Sequence, residues 1–327
     1  MKNILCIDLY QKILTELMNE SQLEQIKWIN EKELEILDRK MPGIEVFIGQ
    51  PYFAVPKVLQ CFPNLKWVQI TSAGYDAVDL DYLREKKIYL TNTRGVMSAS
   101  IAEDVILKML FFSRNVRLFE ASRQKHQWEN YGWNQYMNQM HRDLLGKTIG
   151  ILGDGSISEE IAKRVAAFEM DVLVYGRHDK GNVVPCSSFF SGRDGLYELA
   201  EKSDYVVCAL PGTPDTKHLL DKEFFSHMKK SGYFVNIARG MIVKEEDLIT
   251  VLDKKLIAGA ALDVAEQEPL PADSALWEYE NVFLTFHKAG TGDSWVSKLG
   301  HLVKKNIESF LSGDCQFDNE IKVREEG

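Results

Sequence analysis

Thr148-Ile-Gly-Ile-Leu-Gly153-Asp-Gly155-Ser-Ile-Ser158 is the stretch from which the fold can be read. A β-favouring run enters two glycines separated by one residue. Ile157, Ile161, Val165 and Phe168 then recur on one face of the next segment. Strand, tight turn and amphipathic helix are the expected sequence of elements. Gly153 permits the turn, and Gly155 lets the backbone approach a pyrophosphate held at the helix N-terminus, where Ser156 and Ile157 open the first turn. The third position of such a turn is normally Gly or Ala, and here it is Ser158, small enough for the turn to survive.

The surrounding pattern supports this reading. Near-continuous apolar runs at 148–152, 172–175, 205–210, 233–238, 257–264 and 282–285 alternate with helical segments, as expected of parallel strands buried on both faces of a doubly wound sheet. A second alternating series lies upstream, with strands expected at 4–8, 46–49, 67–70 and 88–91. Between the two series, Ile101, Val105, Met109, Phe112 and Val116 step by three and four residues, predicting one long helix over 98–116 with Ser100 and Glu103 as its capping box. Helical periodicity returns after Ser294. The expected architecture is α/β with two doubly wound parallel-sheet domains. A Rossmann dinucleotide-binding domain at 98–289 is inserted into a flavodoxin-like substrate domain made of 1–97 and 290–327.

Composition excludes several functions. A net charge of -9 over 327 residues argues against general affinity for nucleic acid or anionic lipid. The five cysteines, Cys6, Cys61, Cys186, Cys208 and Cys315, lack the paired spacing of zinc sites, so no metal is expected and the thiols read as reduced. No apolar stretch approaches the roughly 20 residues that cross a bilayer. The expectation is a soluble, unexported, cytoplasmic protein. The aromatic residues between Trp128 and Tyr136 read as packing between domains or subunits.

About 20 residues beyond the glycines, a domain that prefers NAD places an acid on the ribose hydroxyls. Here Gly176 takes that place, followed by Arg177, His178, Asp179 and Lys180. A guanidinium without the carboxylate favours a 2′-phosphate. NADP is therefore the preferred cofactor, with NAD the open alternative because Asp179 is a possible substitute acid.

Three further strand ends carry polar residues: Asn236-Ile-Ala-Arg239-Gly240, Asp263-Val-Ala-Glu-Gln-Glu268-Pro269, and His287-Lys-Ala-Gly290. Together with the glycine turn, Ser72-Ala-Gly74, Ala102-Glu103, Leu145-Gly146-Lys147 and Pro211-Gly-Thr213-Pro214, their order resembles the D-isomer-specific 2-hydroxyacid dehydrogenases over essentially the whole chain. That resemblance implies hydride transfer between NAD(P)H and a small 2-keto or D-2-hydroxy acid such as glyoxylate or hydroxypyruvate. It makes Arg239 the binder of the substrate carboxylate, His287 the proton donor and acceptor, and Glu268 the partner of the imidazole. Ser72, Ala73 and Gly74 would hold the substrate from the first domain. Leu210, Pro211, Thr216, Ala238 and Asp263 would contact the cofactor, and a homodimer joined through the dinucleotide domains is implied.

Some positions depart from the family pattern. Gly212 stands where a larger apolar residue is usual, Phe286 replaces a proline, and Lys288 follows the histidine. A dinucleotide-sensing, partner-binding corepressor-like protein and a phosphoglycerate dehydrogenase are the alternatives. Formate dehydrogenases fit less well, since that branch has glutamine in place of Glu268.

Overall fold

The computed structural model describes residues 3–128, 141–177 and 184–323. The chain divides into two compact units, Met1–Met97 with Gly292–Gly327, and Ser98–Thr291. The return to the first unit lies at Gly292, two residues beyond the expected 290.

In the first unit, β1 (Ile4–Ile7), β2 (Ile26–Ile29), β3 (Val46–Gly49), β4 (Trp67–Ile70) and β5 (Tyr89–Thr91) form a parallel sheet in the order 5-4-3-1-2, with Glu320–Ile321 added antiparallel to β5. Every residue of β1, β3 and β4 is buried, including Gln69 of β4, whose amide is hydrogen-bonded to Ile70 O and Thr91. β2 escapes the sequence pattern, because Lys27 interrupts its short run at the sheet edge. Helix Ser294–Ser312 supplies Leu299, Val303 and Ile307 to the same core. A Cβ at Gly300 would lie 2.5 Å from side-chain atoms of Ile13 and Leu17, so the absence of a side chain lets this helix close directly on helix Gln11–Leu17.

In the second unit, β6 (Thr148–Leu152), β7 (Asp171–Tyr175), β8 (Ser188–Phe190), β9 (Tyr205–Cys208), β10 (Tyr233–Asn236), β11 (Gly259–Leu262) and β12 (Val282–Leu284) are all parallel, in the order 12-11-10-9-6-7-8. The winding reverses at β6, whose neighbours are β7 and β9, so a ligand crevice opens beyond its carboxyl end. Ile149 and Ile151 are fully buried among Ile161, Val165 and Val174, each contributing roughly 1.5–3 kcal/mol by leaving water.

The predicted helix over 98–116 is broken. It runs Ser98–Ser113, and a second helix spans Val116–Gln124. Asn115, at φ +50°, makes the break, a left-handed conformation that asparagine tolerates better than most residues. The apolar rhythm continues across it, which is why the sequence reads as one helix. The capping box is also absent. Ser100 lies inside the helix, Glu103 instead pairs with Arg164 at 3.2 Å, and Ser98 Oγ meets Ser156 Oγ at 2.9 Å.

Candidate active site

The glycine turn has the predicted geometry. Gly153 adopts φ +125°, and a Cβ there would sit 2.7 Å from the carbonyl oxygen of Ala209, so only glycine fits. Gly155 caps helix Ser156–Val165 and has nothing within 4 Å of its Cβ direction. The open approach and the first amides of a helix, which have no partners within it, suit a phosphate group. Ser158 is fully buried and its Oγ donates to the carbonyl of Gly153 at 2.8 Å. The serine thus ties the turn together where the usual glycine would only leave room.

At the end of β7, Gly176 is buried and Arg177 is exposed, while His178, Asp179 and Lys180 lie outside the described residues. A Cβ at Gly176 would come within 2.9 Å of Phe189 Cζ and 3.2 Å of Asp154 Cγ. The space that a side chain at 176 would enter is therefore taken by the Phe189 ring and the side chain of Asp154. Beyond β9, Thr216 Oγ1 donates to the Pro211 carbonyl at 2.7 Å and accepts from Thr213 N at 2.9 Å, closing the loop that carries Leu210 and Pro211.

Arg239 follows β10. Asn236, almost wholly buried, accepts from Ala238 N through Oδ1 at 3.1 Å and donates through Nδ2 to the Arg239 carbonyl at 3.2 Å. It shapes the turn that presents the guanidinium, whose Nη1 also donates to the Ala238 carbonyl at 2.7 Å. A Cβ at Gly240 would lie 1.8 Å from the Ala265 carbonyl oxygen. The arginine turn therefore packs backbone to backbone against the loop leaving β11.

That loop carries Glu268, and β12 leads to His287. Glu268 Oε2 and His287 Nδ1 are 2.8 Å apart, and Glu268 Oε1 accepts from Ala265 N at 3.3 Å. His287 itself has φ +54°, a strained conformation of the kind that clusters at functional sites. Asp263, 4% exposed, holds it there. The Asp263 carbonyl accepts from His287 N at 2.6 Å, and its carboxylate accepts from Lys288 N at 2.8 Å, Ala289 N at 3.0 Å and Thr285 Oγ1 at 2.7 Å. Beside the dyad, Val264, Leu270, Trp277 and Phe286 line a cavity of about 530 Å³. Trp277 and Phe286 pack with ring centroids 5.9 Å apart.

The domain carrying these strand ends matches a family model. Residues 106–289 fit the D-isomer specific 2-hydroxyacid dehydrogenase, NAD binding domain. The chain belongs to the D-isomer specific 2-hydroxyacid dehydrogenase family. It is 36% identical over 263 residues to the glyoxylate reductase of Thermofilum pendens, covering 79% of this chain and 75% of that one. It is 32% identical over 287 residues to a glyoxylate/hydroxypyruvate reductase of Arabidopsis thaliana, covering 88% of each. Among solved structures, the D-isomer specific 2-hydroxyacid dehydrogenase of Xanthobacter autotrophicus in complex with NADPH and MES superposes with a TM-score of 0.80 at 25% identity, covering 99% of both chains. This dehydrogenase is thus an oxidoreductase with a nicotinamide dinucleotide cofactor.

The second unit brings Arg239, Asp263, Glu268 and His287 to the carboxyl ends of adjacent strands β10, β11 and β12. Ser72, Ala73 and Gly74 belong to the first unit, in the loop after β4, where Ser72 Oγ donates to the Gly74 carbonyl at 2.5 Å. Asn92 Nδ2 donates to the Ala73 carbonyl at 2.7 Å and holds that loop. Sequence reasoning missed Asn92, Asn236, Asp154 and Thr285. Asn236 and Asp154 lie inside motifs already recognised, so a small polar residue beside a functional one was the available signal. His218 makes a second histidine–glutamate contact, with Glu266 at 2.6 Å.

Proposed function

We propose that this dehydrogenase reduces small 2-keto acids, glyoxylate and hydroxypyruvate among them, to D-2-hydroxy acids, with NADPH preferred over NADH. The contact between Glu268 and His287 carries the reading. A carboxylate at Nδ1 fixes the ring orientation, leaving Nε2 to give a proton to the carbonyl oxygen. Arg239 addresses the substrate carboxylate with its planar fork and polarises the carbonyl. The nicotinamide, when bound, supplies the hydride to the carbonyl carbon. In the oxidative direction His287 takes the hydroxyl proton instead.

Gly153, Gly155, Ser156 and Ile157 form the pyrophosphate side of the dinucleotide site. Leu210, Pro211, Thr216, Ala238 and Asp263 form its other wall. Exposed Arg177 beside a glycine favours the 2′-phosphate of NADP. The protein acts as a homodimer joined through its second unit, a reading supported by the exposure of Leu107, Val116 and Phe119 there. Five free cysteines suit the reducing cytoplasm. Among the described residues, no helix is long and apolar enough to cross a membrane.

The test is NADPH oxidation with glyoxylate and hydroxypyruvate by wild type and His287→Ala. Loss of about 10²-fold or more in kcat is expected of the variant. Full turnover by His287→Ala would remove the proposed proton donor.

A further inference from the structure

Lys108 is fully buried, an unusual place for an ammonium. It lies on helix Ser98–Ser113, one turn after Asp104, and the two side chains form an ion pair. Its Nζ also donates to Thr285 Oγ1 at 2.8 Å and lies 5.8 Å from the centre of the Phe283 ring. Thr285 Oγ1 is in turn 2.7 Å from Asp263 Oδ1. An ammonium can only donate and a carboxylate can only accept. The hydroxyl between them therefore has one allowed orientation, accepting from Lys108 and donating to Asp263. The chain of contacts ends on the backbone of His287, Lys288 and Ala289, all three amides of which are bound by Asp263.

We propose that Lys108 is a positioning residue for the proton donor, orienting the Asp263 carboxylate through Thr285 so that the strained His287 turn keeps its catalytic geometry. The inference rests on the reading of His287 as that donor. Burying an ion pair is a poor way to gain stability, since desolvation offsets most of the attraction and apolar side chains of similar volume often do as well. Fixing a strained loop is a use that apolar replacements cannot reproduce. The charged groups meeting along this chain are Asp104 from the same helix, Asp263 from the end of β11, and His287 and Glu268 beyond it. Burial pushes the Asp104 carboxyl up, against the pull of Lys108 and with a further push from Asp263. Without the cation, the Thr285 hydroxyl loses the donor that fixes its orientation and no longer has to point at Asp263.

The experiment compares wild type, Lys108→Met, Thr285→Val, their combination, the doubly apolar Asp104→Leu/Lys108→Met and His287→Ala. It measures kcat and KM for glyoxylate with NADPH, NADPH affinity by fluorescence titration, and Tm. Lys108→Met should lower kcat by about 10- to 100-fold, the usual cost of losing a group that orients a functional one. KM for glyoxylate should change less than kcat does. Thr285→Val should lower kcat similarly, and its combination with Lys108→Met should not be additive. The doubly apolar variant should keep the wild-type Tm and still be slow.

A Lys108→Met enzyme with wild-type kcat, changed only in Tm, overturns the proposal. So does recovery of kcat in the doubly apolar variant. Activity in His287→Ala would instead sink the reading of the donor. An inactive His287→Ala beside a normal Lys108→Met would sink this inference alone.

Discussion

Gly212 and Arg239 are fitted to one another: a Cβ on residue 212 would lie 2.8 Å from Cγ of the arginine. The departure from the larger apolar residue usual at this position is therefore what lets the Arg239 stem lie where it does. The clash would fall on the middle of the side chain, which cannot swing aside without moving the guanidinium. Gly212→Val should raise KM for glyoxylate and lower kcat/KM by at least about tenfold, because small displacements of a binding group are costly. Steady-state kinetics with an unchanged Tm would locate the effect at the site. Unchanged kcat/KM would show that the arginine has another place to go.

Asp154 and Phe189 crowd Gly176. Installing the acid that NAD-preferring domains carry, by Gly176→Asp, should overpack the turn by about 1–3 kcal/mol and place two carboxylates together. It should lower Tm without improving NADH binding, whereas pairing it with Asp154→Gly should recover both. Thermal melts and titrations with NADH and NADPH distinguish the cases.

Arg177→Ala should reduce NADPH affinity while leaving NADH affinity within about twofold, because only NADPH offers the phosphate dianion to a guanidinium. An unaltered ratio of the two dissociation constants would mean that Arg177 does not read the 2′-phosphate.

Glu45 gives a pH-dependent term in the first unit. Its carboxyl is held below the usual range by the Lys66 ammonium and by a 3.0 Å bond from Asn3. A folded-state pKa depressed below the unfolded one contributes stability above the unfolded value, near 4.3, and loses it as pH falls through the folded value. Glu45→Gln should therefore be less stable than wild type at pH 7, and the gap should close below about pH 4. Denaturant melts at the two pH values test this. A gap that persists in acid would assign the difference to packing.

The strands and turns are legible where one physical requirement dominates. The buried runs of β6, β7, β9 and β10 are apolar on both faces, and Gly153 stands where no side chain fits. The helix over 98–116 is misjudged because Asn115 breaks the backbone without breaking the apolar rhythm. Arg239, Glu268 and His287 can be found because each follows a recognisable strand. Lys108 cannot, because an aspartate and a lysine four residues apart on a helix ordinarily make a solvated ion pair. Only the tertiary fold shows that pair buried against Thr285. Asp154 is hidden for a similar reason, since its neighbour Gly176 is 22 residues away in sequence and adjacent only once β6 and β7 pair.

The 1.8 Å that would separate a Cβ at position 240 from the Ala265 oxygen bears on how this enzyme can be re-engineered. The segment presenting the guanidinium and the one leading to the carboxylate are interlocked by their main chains. Directed evolution that randomises one while freezing the other will mostly sample broken enzymes, whereas exchanging 236–242 and 263–268 together as one cassette respects the joint.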